Sequence, residues 1–228
     1  MKQINKYIVE RLHINKDIGN HYNYHPKTRD ELKELIKKLI KERGNKADLN
    51  DIDTSEITDM SYMFYRSIFN GDISNWNVSN VKDMNTMFMG SKFTGENGDI
   101  SKWDVSNVED MNTMFYMSLF NGDISEWNVR NVKTMISMFY ESKFTGENGN
   151  ISNWDVSNVE DMGNMFAYSS FNGDISKWDV SNVKNMYCMF YGSMFNGDIS
   201  NWDVSNVKYM KYMFGESPLE KNPPKWYK

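Results

Sequence analysis

Cysteine is nearly absent from the 228-residue sequence. The single Cys188 excludes an intrachain disulfide framework and any cysteine-rich zinc site. Only four prolines occur, and with aromatics abundant the chain does not read as disordered. No apolar run approaches the ~18 residues a membrane span needs. The opening stretch MKQINKYIVERLHINKDIGN has neither the unbroken apolar stretch nor the small-residue cleavage site of a secretory signal. No G-x-S-x-G, Walker loop or dinucleotide fingerprint is found. Positive charge is also in deficit, with 26 Lys and Arg against 31 Asp and Glu. The chain as a whole is therefore no generic polyanion binder, and no nucleic-acid partner is expected. That balance is uneven: residues 1–48 carry 12 basic against 7 acidic side chains, and residues 49–228 carry 14 against 24.

What the sequence does have is a repeat. The element V-x-x-M-x-x-M-F begins at Ile57, Val81, Val108, Val132, Val159, Val183 and Val207, so its steps are 24 or 27 residues. The longer step has one cause. Phe69-Asn70-Gly71-Asp72-Ile73 expands to Phe93-Thr94-Gly95-Glu96-Asn97-Gly98-Asp99-Ile100, and again between Phe144 and Ile151. An insertion with both flanks intact belongs in a loop on one side of a coil. Seven units start near Leu49, Ile73, Ile100, Ile124, Ile151, Ile175 and Ile199.

Within a unit the apolar period changes. Trp76 and Val78 lie two apart, which predicts a strand, and Val81, Met84, Met87 and Phe88 lie on one face of a predicted short helix. Ser79 or Asn80 stands where a cap is wanted, and Ser106/Glu109 and Ser157/Glu160 offer capping boxes. Asn-Gly-Asp then turns the chain. Such a unit buries its apolar face only by stacking on copies of itself. Columns of like residues follow: Trp76 to Trp202, Val78 to Val204, Phe64 to Phe214 and Phe69 to Phe195. All 13 phenylalanines fall in these columns, which predicts a core role. The methionine columns are read as core filler.

The run Ile73-x-x-Trp76-x-Val78-x-x-Val81-x-x-Met84-x-x-Met87-Phe88 resembles the BspA-like class of leucine-rich repeat, in its Met- and Phe-rich W-D-V-S-N-V variant found in bacterial surface proteins, mobile elements and some protists. The resemblance covers about residues 49–217. It implies an α/β fold: a right-handed leucine-rich-repeat solenoid with parallel strands on the concave face and short helices opposite, acting in adhesion or recognition without catalysis.

Four segments follow. Residues 1–27 form a header in which Ile4, Ile8 and Leu12 suggest one short helix, and this header resembles leaders on bacteriophage proteins. Residues 28–48 read as an amphipathic capping helix: Thr28-Arg29-Asp30-Glu31 as its capping box, Leu32, Leu35, Ile36, Leu39 and Ile40 as its apolar stripe, Gly44 as its stop. Residues 49–217 are the repeats. In residues 218–228 the prolines end the pattern, and Trp226 and Tyr227 are read as a lid.

Outward strand positions give the candidate ligand-binding ladder. One column is Asp53, Asn77, Asp104, Asn128, Asp155, Asp179 and Asp203; beside it run Asp51, Asn75, Lys102, Glu126, Asn153, Lys177 and Asn201. A basic or hydroxyl-rich partner suits the first column; so does a solvated Asp/Asn ladder with no ligand. A second candidate is an intermittent aromatic strip at Tyr65, Met89, Tyr116, Tyr140, Ala167, Tyr191 and Gly215, since tyrosine is common at interfaces.

Three chemistries are read down. The turn residues Asp72, Asp99, Asp123, Asn150, Asp174 and Asp198 supply one side chain per unit, against the 6–8 oxygens calcium prefers. His13, His21 and His25 fit no zinc spacing. Cys188 has no basic neighbour to activate it. No cofactor is expected. Because repetition gives every unit the same environment, no pair of unequal carboxylates arises for acid/base work. The expectation is a non-enzymatic recognition or adhesion module for a protein or glycan. The alternative is a structural virion component of a bacteriophage, decorating capsid or tail and attached through residues 1–27.

Overall fold

A computed structural model describes residues 22–227. The predicted helix at Ile4, Ile8 and Leu12, with His13 and His21, lies outside them.

The first element, α1, is the helix Arg29–Arg43. Thr28 stays extended and its hydroxyl accepts from the Glu31 amide at 3.2 Å, which satisfies one of the free donors of the first turn. The Glu31 carboxylate reaches back to the Lys27 amide at 2.7 Å. Gly44, at φ 89°, returns its amide to the Ile40 carbonyl. Leu32, Ile36 and Leu39 are buried against the repeats. The Arg43 guanidinium clasps both carboxylate oxygens of Asp51 at 2.9 Å. That paired geometry tethers the helix end to the first coil.

The repeats stack as seven coils, but the expected α/β solenoid is not what forms. Among the described residues, α1 and one 3-10 turn at Pro218–Glu220 are the only helices, and no sheet is present. Neighbouring coils meet through single parallel bridges: Asp59 to Asp83, Asp83 to Asp110, and on through Thr134, Asp161 and Asn185 to Tyr209.

The predicted helix at Val81–Phe88 is instead a ribbon of tight turns. The Met87 amide returns to the Met84 carbonyl and Ser91 to Phe88, at 3.1–3.2 Å. Thr86 and Gly90 hold φ of 61° and 63°, which is incompatible with a right-handed helix and marks type II turns. The same two positions recur in every coil, at Tyr62/Arg66, Thr113/Met117, Ser137/Glu141, Asn164/Tyr168, Cys188/Gly192 and Tyr212/Glu216, the last glutamate included. An i, i+3, i+7 apolar pattern is met equally well by three-residue turns. Left-handed residues turn alternate amides outward, so they bond the next coil: Met84 to the Asp110 carbonyl, Thr86 to Asn112, Phe88 to Met114, Gly90 to Tyr116. All six interfaces carry these four bonds, at 2.6–3.2 Å.

The predicted strand at Trp76–Val78 does not pair either. There the coils are joined by side chains. Each indole Nε1 donates to a carbonyl of the coil before, Trp76 to Leu49, Trp103 to Ile73, Trp127 to Ile100 and Trp202 to Ile175 among them, at 2.9–3.2 Å. Each motif asparagine does the same, Asn80 to Ser55 and Asn107 to Ser79, both at 2.7 Å. Asn80 is thus a tie between coils rather than a helix cap, and Ser106 and Ser157 precede no helix.

The core is a stack of rings. All 13 phenylalanines are 1% exposed or less, with successive members of the Phe64 column 5.4–6.0 Å apart and their rings nearly parallel. Displacement between coils grows outward, from 4.6 Å at Tyr116 and Tyr140 on the ribbon to 6.4–6.5 Å in the tryptophan column. The stack therefore fans, with the turn ribbon inside the curve. This reverses the expected placement of the Trp-Val segment on the concave face. Trp226 continues the tryptophan column past the last repeat. It lies 6.5 Å from Trp202 and donates to the Ile199 carbonyl at 3.0 Å.

Candidate functional site

The Asp/Asn ladder sits where the chain turns, beside the tryptophans. Oδ1 of Asp53, Asn77, Asp104, Asn128, Asp155, Asp179 and Asp203 each accepts the backbone amide two residues on, at 3.0–3.3 Å. These are Asx turns. An amide oxygen serves as well as a carboxylate oxygen, which accounts for the Asp/Asn alternation. Ser157 and Ser205 hold the Asp155 and Asp203 carboxyls below the ordinary carboxylate range. Asp53 also faces His25 Nδ1 at 3.2 Å.

In the flanking column Asp51 is taken by Arg43. Asn75, Lys102, Glu126, Asn153, Lys177 and Asn201 are exposed, and their side chains make no hydrogen bond among the described residues. The turn residues Asp72, Asp99, Asp123, Asn150, Asp174 and Asp198 repeat the Asx geometry with the serine two residues on, at 2.8–2.9 Å. No group of three or more His, Cys, Asp or Glu side chains is placed to hold a metal ion among the described residues.

The aromatic strip gathers on the inner ribbon. Tyr116 and Tyr140 stack at 4.6 Å, Tyr140 meets Tyr168 edge-on at 5.6 Å, and Tyr168 meets Tyr191 at 5.5 Å. Ala167 replaces a large residue in the strip and opens a groove of about 420 Å³. Tyr140, Tyr168, Tyr187, Tyr191 and Tyr212 line it, with Asn164 and Cys188 among them. The groove is shaped by two glycines. A Cβ on Gly192 would meet the Tyr168 ring at 2.6 Å, and one on Gly215 the Tyr191 ring at 2.8 Å.

The groove is polar at its rim and unreactive within. The Tyr191 hydroxyl donates to Glu216 at 2.6 Å, and that bond raises its pKa to about 12. Burial pushes the Cys188 thiol above its usual range, so it stays protonated and a poor nucleophile at neutral pH. Ring faces and phenolic hydroxyls are what the surface offers a ligand.

The sequence reading singled out Tyr140, Ala167 and Tyr191 but missed Tyr168, Tyr187 and Tyr212. The missing signal was conformational. Tyr168 and Tyr212 stand at left-handed positions, which swing their rings beside the strip. Asn164 in the first of these columns and Gly90 and Gly192 in the second are the trace of those positions in sequence.

Two stretches, residues 31–150 and 142–226, match the family described as "Mycoplasma protein of unknown function, DUF285". Together they cover most of the chain. It belongs to the DUF285 family. No curated protein and no solved structure matches it. Within this DUF285 protein the matched stretches take in most of α1 and all seven coils, so the groove lies inside the family region.

Proposed function

We propose that this DUF285 protein is a non-enzymatic recognition module of the BspA-like repeat type, and that it binds a protein or glycan partner through the tyrosine-lined inner face. One observation carries the reading. Five tyrosines converge on a groove open to solvent, at a place where the core has no use for them. Tyr168, Tyr187 and Tyr212 are 46%, 42% and 48% exposed. Tyrosine offers a large rigid contact area at low entropic cost. The ladder beside the tryptophans is a weaker candidate because each Oδ1 is already engaged; the Oδ2 atoms of Asp104, Asp179 and Asp203 and the exposed Lys102, Glu126 and Lys177 still form a mixed-charge outer rim.

The test is binding by the full chain to a glycan array and to an array of immobilised peptides. A variant carrying Tyr140→Ala, Tyr168→Ala and Tyr212→Ala should lose at least about tenfold in affinity, since aromatic anchors each contribute on the order of 1–2 kcal/mol. Its cooperative unfolding should persist. Silence on both arrays, or undiminished binding by the triple variant, refutes the reading.

A further inference from the structure

Along the turn ribbon the backbone bonding between coils runs mainly one way. In each of the first six coils four ribbon amides donate to carbonyls of the coil that follows, and the coil that follows returns bonds only at the ribbon's ends, as Lys82 does to Thr58 and Lys92 to Ser67. The seventh coil has no successor. Its corresponding amides are those of Met210, Tyr212, Phe214 and Glu216. Glu216 is satisfied by the Glu220 carboxylate at 3.1 Å. Among the described residues, no acceptor faces Met210, Tyr212 or Phe214. Tyr227 covers the Phe214 ring at 4.9 Å, but Met210 is only half-buried and Tyr212 is exposed. The Lys208 carbonyl, which stands where Thr58 and Lys82 accept, is likewise free of a donor there.

The side chains around this edge also depart from the repeat. Where earlier coils place Asp83, Asp110 or Asp161, the seventh has Tyr209, 64% exposed. Lys211 stands where Asn85 and Asn112 do, its ammonium 4.7 Å from the Tyr212 ring. Lys208 and Lys211 have no acidic partner among the described residues. Tyr187, Lys208, Tyr209, Met210, Lys211 and Tyr227 enclose a groove of about 470 Å³. The end is therefore a row of backbone donors with one free acceptor, flanked by two unpaired ammonium groups and three tyrosine rings.

We propose that this edge is a second binding site, adjoining the tyrosine groove at Tyr187 and Tyr212, and that it takes an extended acidic peptide segment of a partner protein laid parallel to the last coil. Such a segment supplies carbonyls at two-residue spacing to the Met210 and Tyr212 amides and one amide to the Lys208 carbonyl, the same bonds a further coil would make. Its carboxylates meet Lys208 and Lys211. Face-to-face pairing of two copies through the edge is excluded by its own polarity, because it would set donors against donors.

The experiment follows amide exchange in the full chain with a synthetic peptide of about ten residues alternating glutamate and threonine. Exchange across 208–214 should slow by at least about tenfold while the groove residues around Tyr140 and Tyr168 are unaffected. The charge-reversed variant Lys208→Glu with Lys211→Glu, two exposed positions that leave the core untouched, should abolish the protection. A peptide alternating lysine and threonine should give none. Unchanged exchange with the acidic peptide, or equal protection by the basic peptide or in the variant, overturns the proposal. Because Lys208 and Lys211 lie outside the tyrosine groove, the charge-reversed variant tests this edge independently of the tyrosine face.

Discussion

At the residue scale, the motif is a set of hydrogen-bond assignments. In W-[DN]-V-S-N-V the indole and the asparagine tie to the coil before, the valines fill the core, and Asp or Asn closes a turn on the serine. A third column of this kind, Asp59, Asp83, Asp110, Asp161 and Asn185, runs along the coil bridges, and here the choice between acid and amide has consequences. Burial, with the Asp110 and Asp59 carboxylates on either side, pushes the Asp83 carboxyl above its ordinary 3.8. A raised carboxyl pKa means that ionisation opposes folding, so the penalty is present at neutral pH and relieved as pH falls through the folded-state value. Further along, Asn185 avoids it. Its Oδ1 accepts the Tyr187 amide at 2.9 Å while its Nδ2 donates to Asp161 at 3.0 Å. Asp83→Asn should therefore stabilise the protein at pH 7 by about 0.5 kcal/mol, the size usual for a substitution at a half-exposed site. The gain should vanish below the ordinary carboxylate range. Urea unfolding at both pH values measures it, and a variant less stable than wild type at pH 7 contradicts the account.

At the element scale, the turn ribbon shows what was legible and what was not. The period, the seven units, the inserted loops and every core column could be read directly, because burial depends on spacing and the thirteen buried phenylalanines obey it. Secondary structure could not. Val81, Met84, Met87 and Phe88 suit a helix, and nothing about Thr113 or Met117 announces φ of 52° and 51°, values a β-branched or bulky residue adopts at a cost. Interface bonds across the coils hold them there, a tertiary effect that local propensity does not carry. For the same reason the tyrosine groove was half visible: the strip follows the period, but the swing of Tyr168 does not. The strain itself is testable. Glu141, exposed at φ 51°, occupies the position glycine fills at Gly90 and Gly192. Glu141→Gly should raise stability by about 0.5 kcal/mol, the strain relieved less the entropy glycine adds to the unfolded chain. Gly192→Ala should do the opposite and cost about 2 kcal/mol, since left-handed strain adds to a Cβ placed 2.6 Å from the Tyr168 ring. Thermal unfolding of the pair decides it; equal effects of one sign would mean that the ribbon is not left-handed at these positions.

At the scale of the whole molecule, each coil touches only its neighbours, so stability is a sum of near-identical interfaces rather than a property of one central core. An interior coil is held on two sides and the last on one. The tryptophan column samples both situations with the same chemistry. Trp127 donates to Ile100 at 3.0 Å in the middle of the stack, and Trp226 donates to Ile199 at 3.0 Å at its end. Replacing either by Phe removes an indole donor and leaves a carbonyl short of a partner, worth about 1–3 kcal/mol where the site is buried. Trp127 is 3% exposed, so Trp127→Phe should lower the urea midpoint of the whole stack by an amount in that range. Trp226 is only half-buried and its coil can detach alone. Trp226→Phe should leave the main transition in place and speed amide exchange only in the last coil, because fraying one end breaks a single interface. A shared loss of midpoint in both variants would instead mean that the seven coils unfold as one indivisible unit, with the terminal segment as much a part of it as the middle.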